Sequence, residues 1–327
     1  MDDSNYRIGI DVGGTFTDIV AVSDKGTVIF SKAPSTPADP SIGVMDAIAR
    51  LSHELRTESA VLLSKTERIV HGTTVATNAL LERKGAKTGL LTTIGHRDVL
   101  EMREGLKDDR YNMRLAAPET LVPRYLRLGV KERIRPDGSI HVPLDNESLD
   151  AAIEKLKEAD VTSIAVCYLH AYKESKHEKE TRARIESKLP GVSVSLSSEV
   201  FPEIKEYERV STTVVNAYVR PVVEKYLRKL GDRLRETGYQ GPVLIILSHG
   251  GVAPIDEAVR LAAGTVLSGP AGGVAGSRYG SSLIGAENLV PFDMGGTSTD
   301  ISMIVNGEPA LSSTRGIAGQ RVALQSL

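Results

Sequence analysis

The sequence lacks several residue types, and each absence excludes a class of protein. It contains one cysteine, Cys167, and no tryptophan, and aromatic residues make up 4% of its 327 positions. One cysteine cannot form an intrachain disulfide framework or a cysteine-based zinc site. The scarcity of aromatic rings argues against a stacking platform for single-stranded nucleic acid. No apolar run reaches the roughly 18 residues that a membrane-spanning helix needs.

An excess of charge of one sign is also missing. The chain has 40 Lys and Arg against 42 Asp and Glu, a net charge of -2, so it creates no field that would attract nucleic acid or an anionic membrane. The first ten residues, MDDSNYRIGI, contain two acids and no basic segment typical of a secretory signal. We therefore expect a cytoplasmic protein with neither nucleic-acid nor membrane partners.

Short β-branched runs alternate with helical patterns along most of the chain. Three runs near its start predict the strands of an antiparallel meander: residues 7–10, 19–22 and 27–30. Residues 88–93 predict a buried strand, and a long helix is predicted from about 206 to 236 with a bend at Pro221. This alternation predicts an α/β fold with a mostly parallel sheet. The apolar segment 322–324 is predicted to be an unpaired strand edge.

One nine-residue pattern occurs twice. Residues 11–19 read DVGGTFTDI and residues 293–301 read DMGGTSTDI, with seven of nine positions identical. Each copy lies between two apolar runs, which predicts a strand, a Gly-Gly-Thr turn and a second strand. The glycines let the backbone approach an anion closely, and the Asp at the strand end can hold a magnesium ion or orient an attacking oxygen. Two such hairpins predict a clamp for a polyphosphate.

The paired D-x-G-G-T hairpins resemble the two phosphate motifs of the superfamily of actin, the sugar kinases and the heat-shock ATPases. Within that superfamily, the sequence most closely resembles the family of hydantoinase A, 5-oxoprolinase and the acetone and acetophenone carboxylases. The segments that carry the closer resemblance cover nearly the whole chain in family order: GIDVGGTFTD (9–18), HGTTVATNAL (71–80), GAKTGLLTT (85–93), EYERVSTTVVNAY (206–218), SGPAGG (268–273) and DMGGTSTD (293–300).

The resemblance implies an α/β fold of actin-like ATPase (ribonuclease H-like) lobes, each a mixed sheet that begins with a β-hairpin phosphate motif. It implies three consecutive parts. Residues 1–95 would be the first part of lobe I, 96–205 an inserted or adjacent α/β subdomain, and 206–327 the long helix and the start of lobe II. Family members continue well beyond the position of Leu327, so we expect the second lobe to be incomplete and another polypeptide to complete it.

The resemblance also implies a role for individual residues. Asp11 and Asp293 would be the catalytic carboxylates and would hold a Mg²⁺ ion. The residues that would bind the phosphates of ATP are Gly13, Gly14, Thr15, Thr17, Gly295, Gly296 and Thr297. Gly269 and Gly272, in the turn 268–273, would belong to the nucleotide site by allowing close helix packing at a hinge. That turn is equally typical of an ordinary helix start.

Members of this family use ATP to phosphorylate a poorly reactive carbonyl oxygen. The resemblance implies the ATP-binding subunit of an enzyme that hydrolyses a cyclic amide (hydantoin, oxoproline or lactam), acting with a second subunit of the hydantoinase B type. Two alternatives stay open: a subunit of an ATP-dependent ketone carboxylase, and an ATP-gated interaction protein of the actin or chaperone class. The segments at 71–80 and 206–218 favour an enzyme, because they match the family and not actin or the chaperones.

Weaker signals come from isolated polar residues. The residues that open one predicted helix either cap it or bind an anion: Thr73, Thr74, Thr77 and Asn78. Four histidines lack the spacing of metal ligands: His71, His96, His170 and His249. Cys167 lies in an apolar strand and is expected to be an inert core residue.

Overall fold

The structure is a computed structural model of the chain. It describes residues 4–103, 105, 109, 111–116, 119–294, 299–313 and 315–327. The chain divides into two compact units. Unit 1 comprises Met1–Asn78, Val222–Ser313 and Gln325–Leu327, and unit 2 comprises Ala79–Pro221 and Thr314–Leu324. In the part of the chain that the structure describes, no helix combines the length and the apolar character needed to cross a membrane.

The secondary structure alternates as the sequence predicts. Within the described residues the strands are β1 (Tyr6–Val12), β2 (Phe16–Ser23), β3 (Val28–Pro34), β4 (Thr66–Thr73), β5 (Thr88–Thr93), β6 (Arg127–Val130), β7 (Arg133–Ile134), β8 (Ile140–Val142), β9 (Ser163–Cys167), β10 (Ser193–Leu196), β11 (Val243–Ile246), β12 (Val252–Pro254), β13 (Phe292–Met294), β14 (Thr299–Ile301), β15 (Ile304–Val305), β16 (Glu308–Pro309), β17 (Arg315–Ile317) and β18 (Gln320–Val322). The helices are α1 (Pro40–Glu54), α2 (Ser59–Ser64), α3 (Val75–Leu81), α4 (Val99–Met102), α5 (Asn146–Glu158), α6 (Lys176–Lys188), α7 (Ser197–Val200), α8 (Glu206–Glu236), α9 (Ile255–Arg260) and α10 (Ser268–Ile284), with 3₁₀ turns at Arg124–Leu126 and Ala262–Thr265.

Unit 1 is built on a six-stranded mixed sheet in the order β12-β11-β4-β1-β2-β3. Strands β1, β2 and β3 form an antiparallel meander, as predicted, and β4 and β11 then add in parallel. Alternate residues of β1 are buried, which is the period of a strand with one covered face. Helix α1 covers the meander with an apolar face at helical spacing: Val44, Ala47, Ile48 and Leu51.

Unit 2 contains a four-stranded parallel sheet in the order β10-β9-β5-β6. Every residue of β5 and of β9 is buried, as expected for parallel strands that are covered on both faces. The long helix α8 has the predicted bounds and contains Pro221. The prediction of an unpaired edge at 322–324 is wrong, because β18 pairs with β17 and the N–H of Ala323 donates to the hydroxyl of Thr212 at 2.9 Å.

Strand pairing groups the chain differently from the three consecutive ranges expected from the sequence. Strand β5 lies within the range 1–95 yet pairs with β6 and β9 in unit 2. Strand β11 lies within the range 206–327 yet pairs with β4 in unit 1. The sequence pattern gives the strands but not their partners, because pairing is decided between segments far apart in the chain. The three-part domain assignment itself remains a prediction.

Candidate functional site

Hydrogen bonds from Ser35, the residue that follows β3, hold the turn of the first hairpin. The N–H of Gly13 donates to the carbonyl of Phe16 at 3.0 Å. Ser35 donates its N–H to the carbonyl of Thr15 at 2.9 Å and its hydroxyl to the carbonyl of Gly13 at 2.8 Å. Within the described residues, the N–H groups of Gly14 and Thr15 have no acceptor. The turn is therefore rigid and offers two donors to an anion.

Exposure separates the predicted phosphate-binding residues of this hairpin. Gly14 and Thr15 are exposed, and a Cβ placed on Gly14 would have no heavy atom within 4 Å. Thr17 is fully buried, and its hydroxyl lies 3.4 Å from that of Ser35. The structure thus leaves Gly14 and Thr15 open to a ligand. It places Thr17 beneath the turn, away from the exposed face.

Asp11 lies near the end of β1, directly opposite Asp18 on β2 and Gly72 on β4. Asp11 is exposed to solvent, although the surrounding protein partly desolvates its carboxylate. This desolvation raises the pKa of Asp11, and the negative charges of Asp18 and Asp293 raise it further. Asp11 and Asp293, which are far apart in sequence, therefore lie within electrostatic range of each other in unit 1.

Glycine backbone packs against both carboxylates. A Cβ on Gly72 would lie 3.0 Å from Oδ1 of Asp11, and one on Gly269 would lie 3.6 Å from the same oxygen. A Cβ on Gly273 would lie 3.1 Å from Oδ2 of Asp293. The first two turns of α10 therefore approach both predicted carboxylates. The positive end of a 17-residue helix dipole lies at that position.

The second hairpin repeats the register of the first. Strands β13 and β14 pair antiparallel with Asp293 opposite Asp300, as Asp11 lies opposite Asp18. The prediction that both copies of the motif form strand-turn-strand hairpins is confirmed for their strands. The predicted phosphate-binding residues of this turn lie outside the described residues: Gly295, Gly296 and Thr297.

The segment 268–273 is the beginning of α10, in agreement with the alternative of an ordinary helix start. Gly272 faces the sheet, since a Cβ there would lie 3.2 Å from Cδ1 of Ile246. Ser268, which the sequence analysis missed, is buried and anchors the helix. Its hydroxyl donates to the carbonyl of Thr73 at 2.9 Å and accepts the N–H of the same residue at 3.3 Å.

The polar residues after β4 form hydrogen bonds with other parts of the protein. The hydroxyl of Thr74 donates to the carbonyl of Val12 at 3.1 Å. The hydroxyl of Thr77 accepts the N–H of Leu267, which has a left-handed backbone with φ of 62°, at 2.9 Å. The amide of Asn78 donates to the hydroxyl of Thr74 at 3.3 Å. These contacts favour the capping interpretation over an anion site.

His71 is a buried structural residue next to the site. Its Nδ1 lies 3.4 Å from the carbonyl of Ile10, and its Nε2 lies 2.7 Å from the hydroxyl of Tyr226. A carbonyl can only accept, so Nδ1 carries the proton and Nε2 accepts from Tyr226. Burial lowers the pKa of His71 to about 4, which keeps the imidazole neutral. The motif HGTT was the sequence signal for this position, but it did not indicate the partner.

Asp11 and Asp293 fit a magnesium ion of the kind that accompanies ATP. Among the described residues, no group of three or more His, Cys, Asp or Glu side chains could hold a metal by itself. Mg²⁺ does not require such a cage, because it is usually bound by one or two carboxylates and completes its shell with water and phosphate oxygens. Desolvation is the main cause of the raised pKa of Asp11, and the repulsion by Asp18 and Asp293 that adds to it is what a bound cation would relieve.

A mixed sheet that begins with a glycine-turn hairpin, with a carboxylate at the hairpin and a helix N-terminus beside it, defines an actin-like ATPase fold. The sequence pattern described as "Hydantoinase/oxoprolinase N-terminal region" matches residues 7–189, and the pattern "Hydantoinase/oxoprolinase" matches residues 209–327. The chain belongs to the hydantoinase/oxoprolinase family.

Named relatives include both hydrolase and carboxylase subunits. Caprolactamase subunit alpha of Pseudomonas jessenii is 38% identical over 99% of this chain and 47% of its own length. Acetophenone carboxylase gamma subunit of Aromatoleum aromaticum is 36% identical over 93% of this chain and 43% of its own length. A nucleotide-free structure of acetone carboxylase matches with a TM-score of 0.91 and 29% identity, over 99% of this chain and 47% of that one. The chain thus spans about half the length of these relatives.

Proposed function

We propose that this chain is the ATP-binding part of an enzyme that phosphorylates an amide carbonyl so that a cyclic amide can be hydrolysed. The observation that supports this most directly is the approach of α10 to two carboxylates that lie 282 positions apart in the sequence. Structural packing alone gives no reason to keep Asp11 and Asp293 near each other, because two like charges repel. A cation and a phosphate chain would balance them.

In this proposal, Asp11 and Asp293 hold Mg²⁺ and its water molecules. Gly14 and Thr15 donate their N–H groups to one end of the phosphates, and Gly295, Gly296 and Thr297 of the second copy of the motif bind the other end. Bound ATP supplies a phosphoryl group, which makes the carbonyl oxygen a far better leaving group. The residues of this chain supply position and charge, which are what phosphoryl transfer mainly requires.

The choice of substrate rests on relatives. Caprolactamase, by its name, acts on a lactam, and its alpha subunit is 38% identical to this chain, which favours a cyclic amide such as a lactam, hydantoin or oxoproline. The structural match to acetone carboxylase, with its TM-score of 0.91, supports a second candidate, the ATP-dependent carboxylation of a ketone. We do not retain the ATP-gated interaction protein, because the relatives are subunits of enzymes.

We also propose that the chain acts in the cytoplasm with other polypeptides. The relatives are named as alpha and gamma subunits, which supports a second subunit of the hydantoinase B type. Large apolar side chains on β13 and β14 are exposed: Phe292 by 62%, Met294 by 73% and Ile301 by 61%. Contiguous exposed apolar surface is typical of an interaction site, which supports a polypeptide that completes the ATPase lobe.

The first experiment is calorimetric titration of the chain with ATP in the presence and absence of Mg²⁺. We expect Mg²⁺-dependent binding that Asp11→Asn abolishes. The matched control is Asp46→Asn, which removes an exposed carboxylate of α1 and should leave binding unchanged. Equal binding by the wild type and Asp11→Asn would contradict the assigned role of Asp11. If the chain alone does not bind, the titration is repeated with the completing polypeptide.

The second experiment tests the reaction. ATP hydrolysis by the assembled enzyme is measured with caprolactam, hydantoin or 5-oxoproline, and with acetone or acetophenone in the presence of bicarbonate. Stimulation by a cyclic amide without bicarbonate supports the hydrolase. Stimulation by a ketone that requires bicarbonate would replace it with the carboxylase.

A further inference from the structure

Side chains that can bind an anion gather at one edge of the parallel sheet in unit 2. Thr93 is the last residue of β5, with His96 just beyond it. Arg133 follows β6, and His170 follows β9. Since the carboxyl ends of parallel strands meet at one edge, His96, Arg133 and His170 come to the same place from the segments that follow three separate strands. The charges of Arg133, Glu132 and Glu206 act on both imidazoles.

The order of the strands in this sheet also predicts a ligand site at the carboxyl ends of β5 and β9. From β5 the chain goes to β6 on one side, whereas from β9 it goes to β10 on the other side. Strands β5 and β9 are neighbours, so the loops that leave them diverge, which is the topology at which a crevice is expected. Ligands of open parallel sheets bind in the crevice outside the carboxyl ends of the strands at such a switch point. His96 and His170 lie in the two loops that border it.

Buried polar side chains near the ends of these strands form a hydrogen-bonded network. Oε2 of Glu132 lies 2.8 Å from Nδ1 of His177, and both side chains are buried. The other oxygen of Glu132 accepts the hydroxyl of Thr93, which in turn accepts the N–H of Leu169 at 2.9 Å. This network joins the ends of β5, β6 and β9. Among the described residues, Glu132 forms its ion pair with His177 and none with Arg133.

Among the described residues, no carboxylate lies within ion-pair distance of Arg133 or Arg209. The charges of Glu178 and Glu206 nevertheless act on Arg209, whose guanidinium lies 5.2 Å from the ring centroid of Tyr172. Arg133 donates to Nε2 of His96 at 3.2 Å. Arg209 is 1% exposed and donates to the carbonyls of Tyr168 at 3.1 Å and Glu203 at 3.2 Å. Its Nε has no hydrogen-bond partner in the described part of the chain. A buried or half-buried guanidinium normally has an anionic partner, because the charge is costly to desolvate alone.

The two histidines add neutral donors. Nε2 of His96 accepts from Arg133, so its Nδ1 carries the proton and can donate. Nδ1 of His170 is buried without a partner among the described residues, and His170 has a left-handed backbone with φ of 58°. Burial lowers the pKa of both histidines, which keeps them neutral.

We propose that the crevice between the loops after β5 and β9 binds a small carboxylate or bicarbonate, held by the guanidinium of Arg133 and Nδ1–H of His96. The planar fork of an arginine matches the two oxygens of such an anion. Arg209 supplies buried positive charge beneath the ligand, and Glu206, exposed at the start of α8, limits the site to small anions of low charge. This site lies wholly in unit 2 and does not depend on the proposed ATP site.

The test uses the full chain with ¹⁵N-labelled histidine and follows the imidazole resonances by NMR. Sodium acetate and sodium bicarbonate are titrated separately at constant pH and ionic strength, with sodium chloride as reference. We expect the resonances of His96 to shift saturably with acetate, with bicarbonate or with both, and the two titrations identify which anion is preferred. His141 should not respond, although its Nδ1 lies 3.0 Å from Nη2 of Arg135 in a similar but exposed pair.

The variant Arg133→Gln should weaken binding about tenfold or more, and the matched control Arg135→Gln should leave it unchanged. If Arg133→Gln does not fold, His96→Gln replaces it, with the resonances of His170 as the readout. The proposal is overturned if the wild type shows no saturable shift, or if the shift persists in the folded Arg133 or His96 variant. It is also overturned if chloride produces the same saturable shift.

Discussion

The hydroxyl of Tyr226 on α8 lies 2.7 Å from Nε2 of His71 on β4, and both side chains are buried. The next residue along β4 is Gly72, the glycine that lies against the carboxylate of Asp11. The hydrogen bond therefore ties the part of α8 that belongs to unit 1 to the strand that borders the candidate site. Both groups are uncharged, so the bond joins the helix to the strand without burying a charge.

Replacing Tyr226 with phenylalanine should destabilise the chain by about 1–3 kcal/mol, because Nε2 of His71 is left buried without a donor. Urea unfolding followed by circular dichroism measures the change. The matched control is Tyr239→Phe. The hydroxyl of Tyr239 donates to the carbonyl of Pro242 at 2.7 Å, but that carbonyl also accepts the N–H of Ile69 at 3.1 Å. The control should therefore cost less, and equal losses would show that His71 does not need this donor.

The buried imidazole of His71 should make stability depend on pH. Its pKa is about 4 in the folded chain against about 6.5 when unfolded. As pH falls from 6.5 towards 4, the unfolded state takes up the proton first. Stability that is fully present above pH 6.5 is then lost, by about 3 kcal/mol from this group at most. Unfolding free energies at pH 7.5 and pH 5 should differ less in His71→Gln than in the wild type, and an unchanged difference would assign the effect to other groups.

The sequence predicted the hairpins and the identity of the carboxylates because both reside in a local repeat. Asp11 and Asp293 could be named from two copies of nine residues. The contacts of those carboxylates could not be predicted, since Gly72 and Gly273 approach them only through the packing of β4 and α10. The partner of His71 could not be predicted for the same reason, because it lies 155 residues away in the chain. Residue spacing detects local periodicity, whereas these relationships depend on distant pairing.

Strand identity was also easier to predict than strand neighbours. The segment 88–93 reads as a buried strand from its composition, and it is one. Nothing in its own residues distinguishes pairing with β4 from pairing with β9, because both strands form parallel pairs. The anion-binding side chains His96, Arg133 and His170 remained hidden for the same reason. They come together only because β5, β6 and β9 share one sheet.

Asp11→Asn should raise the thermal unfolding midpoint at neutral pH when magnesium and nucleotide are absent. The folded chain raises the pKa of this acid, so above that pKa its ionisation favours the unfolded state. The gain should be largest at pH 7 and should shrink as pH falls towards 3.8, the ordinary value for the group. Calorimetric scans at several pH values measure it, with Asp46→Asn as the control. A lower midpoint in Asp11→Asn would mean that the carboxylate stabilises the fold.

Gly273 and Gly276 provide a matched pair on α10. Both are exposed helical glycines, but a Cβ on Gly273 would lie 3.1 Å from Oδ2 of Asp293, whereas one on Gly276 would meet nothing within 4 Å. Gly276→Ala should therefore gain the full helix-propensity difference of about 1 kcal/mol. Gly273→Ala should gain less, because the methyl group displaces the carboxylate of Asp293.

Urea unfolding measures the two gains, and titration with Mg²⁺ and ATP measures the effect on the site. We expect Gly273→Ala to weaken nucleotide binding and Gly276→Ala to leave it unchanged. Equal gains in stability would show that the carboxylate of Asp293 moves aside at no cost. In that case, the close approach of α10 to Asp293 does not fix the position of this carboxylate, and the helix contributes to the site only through its dipole.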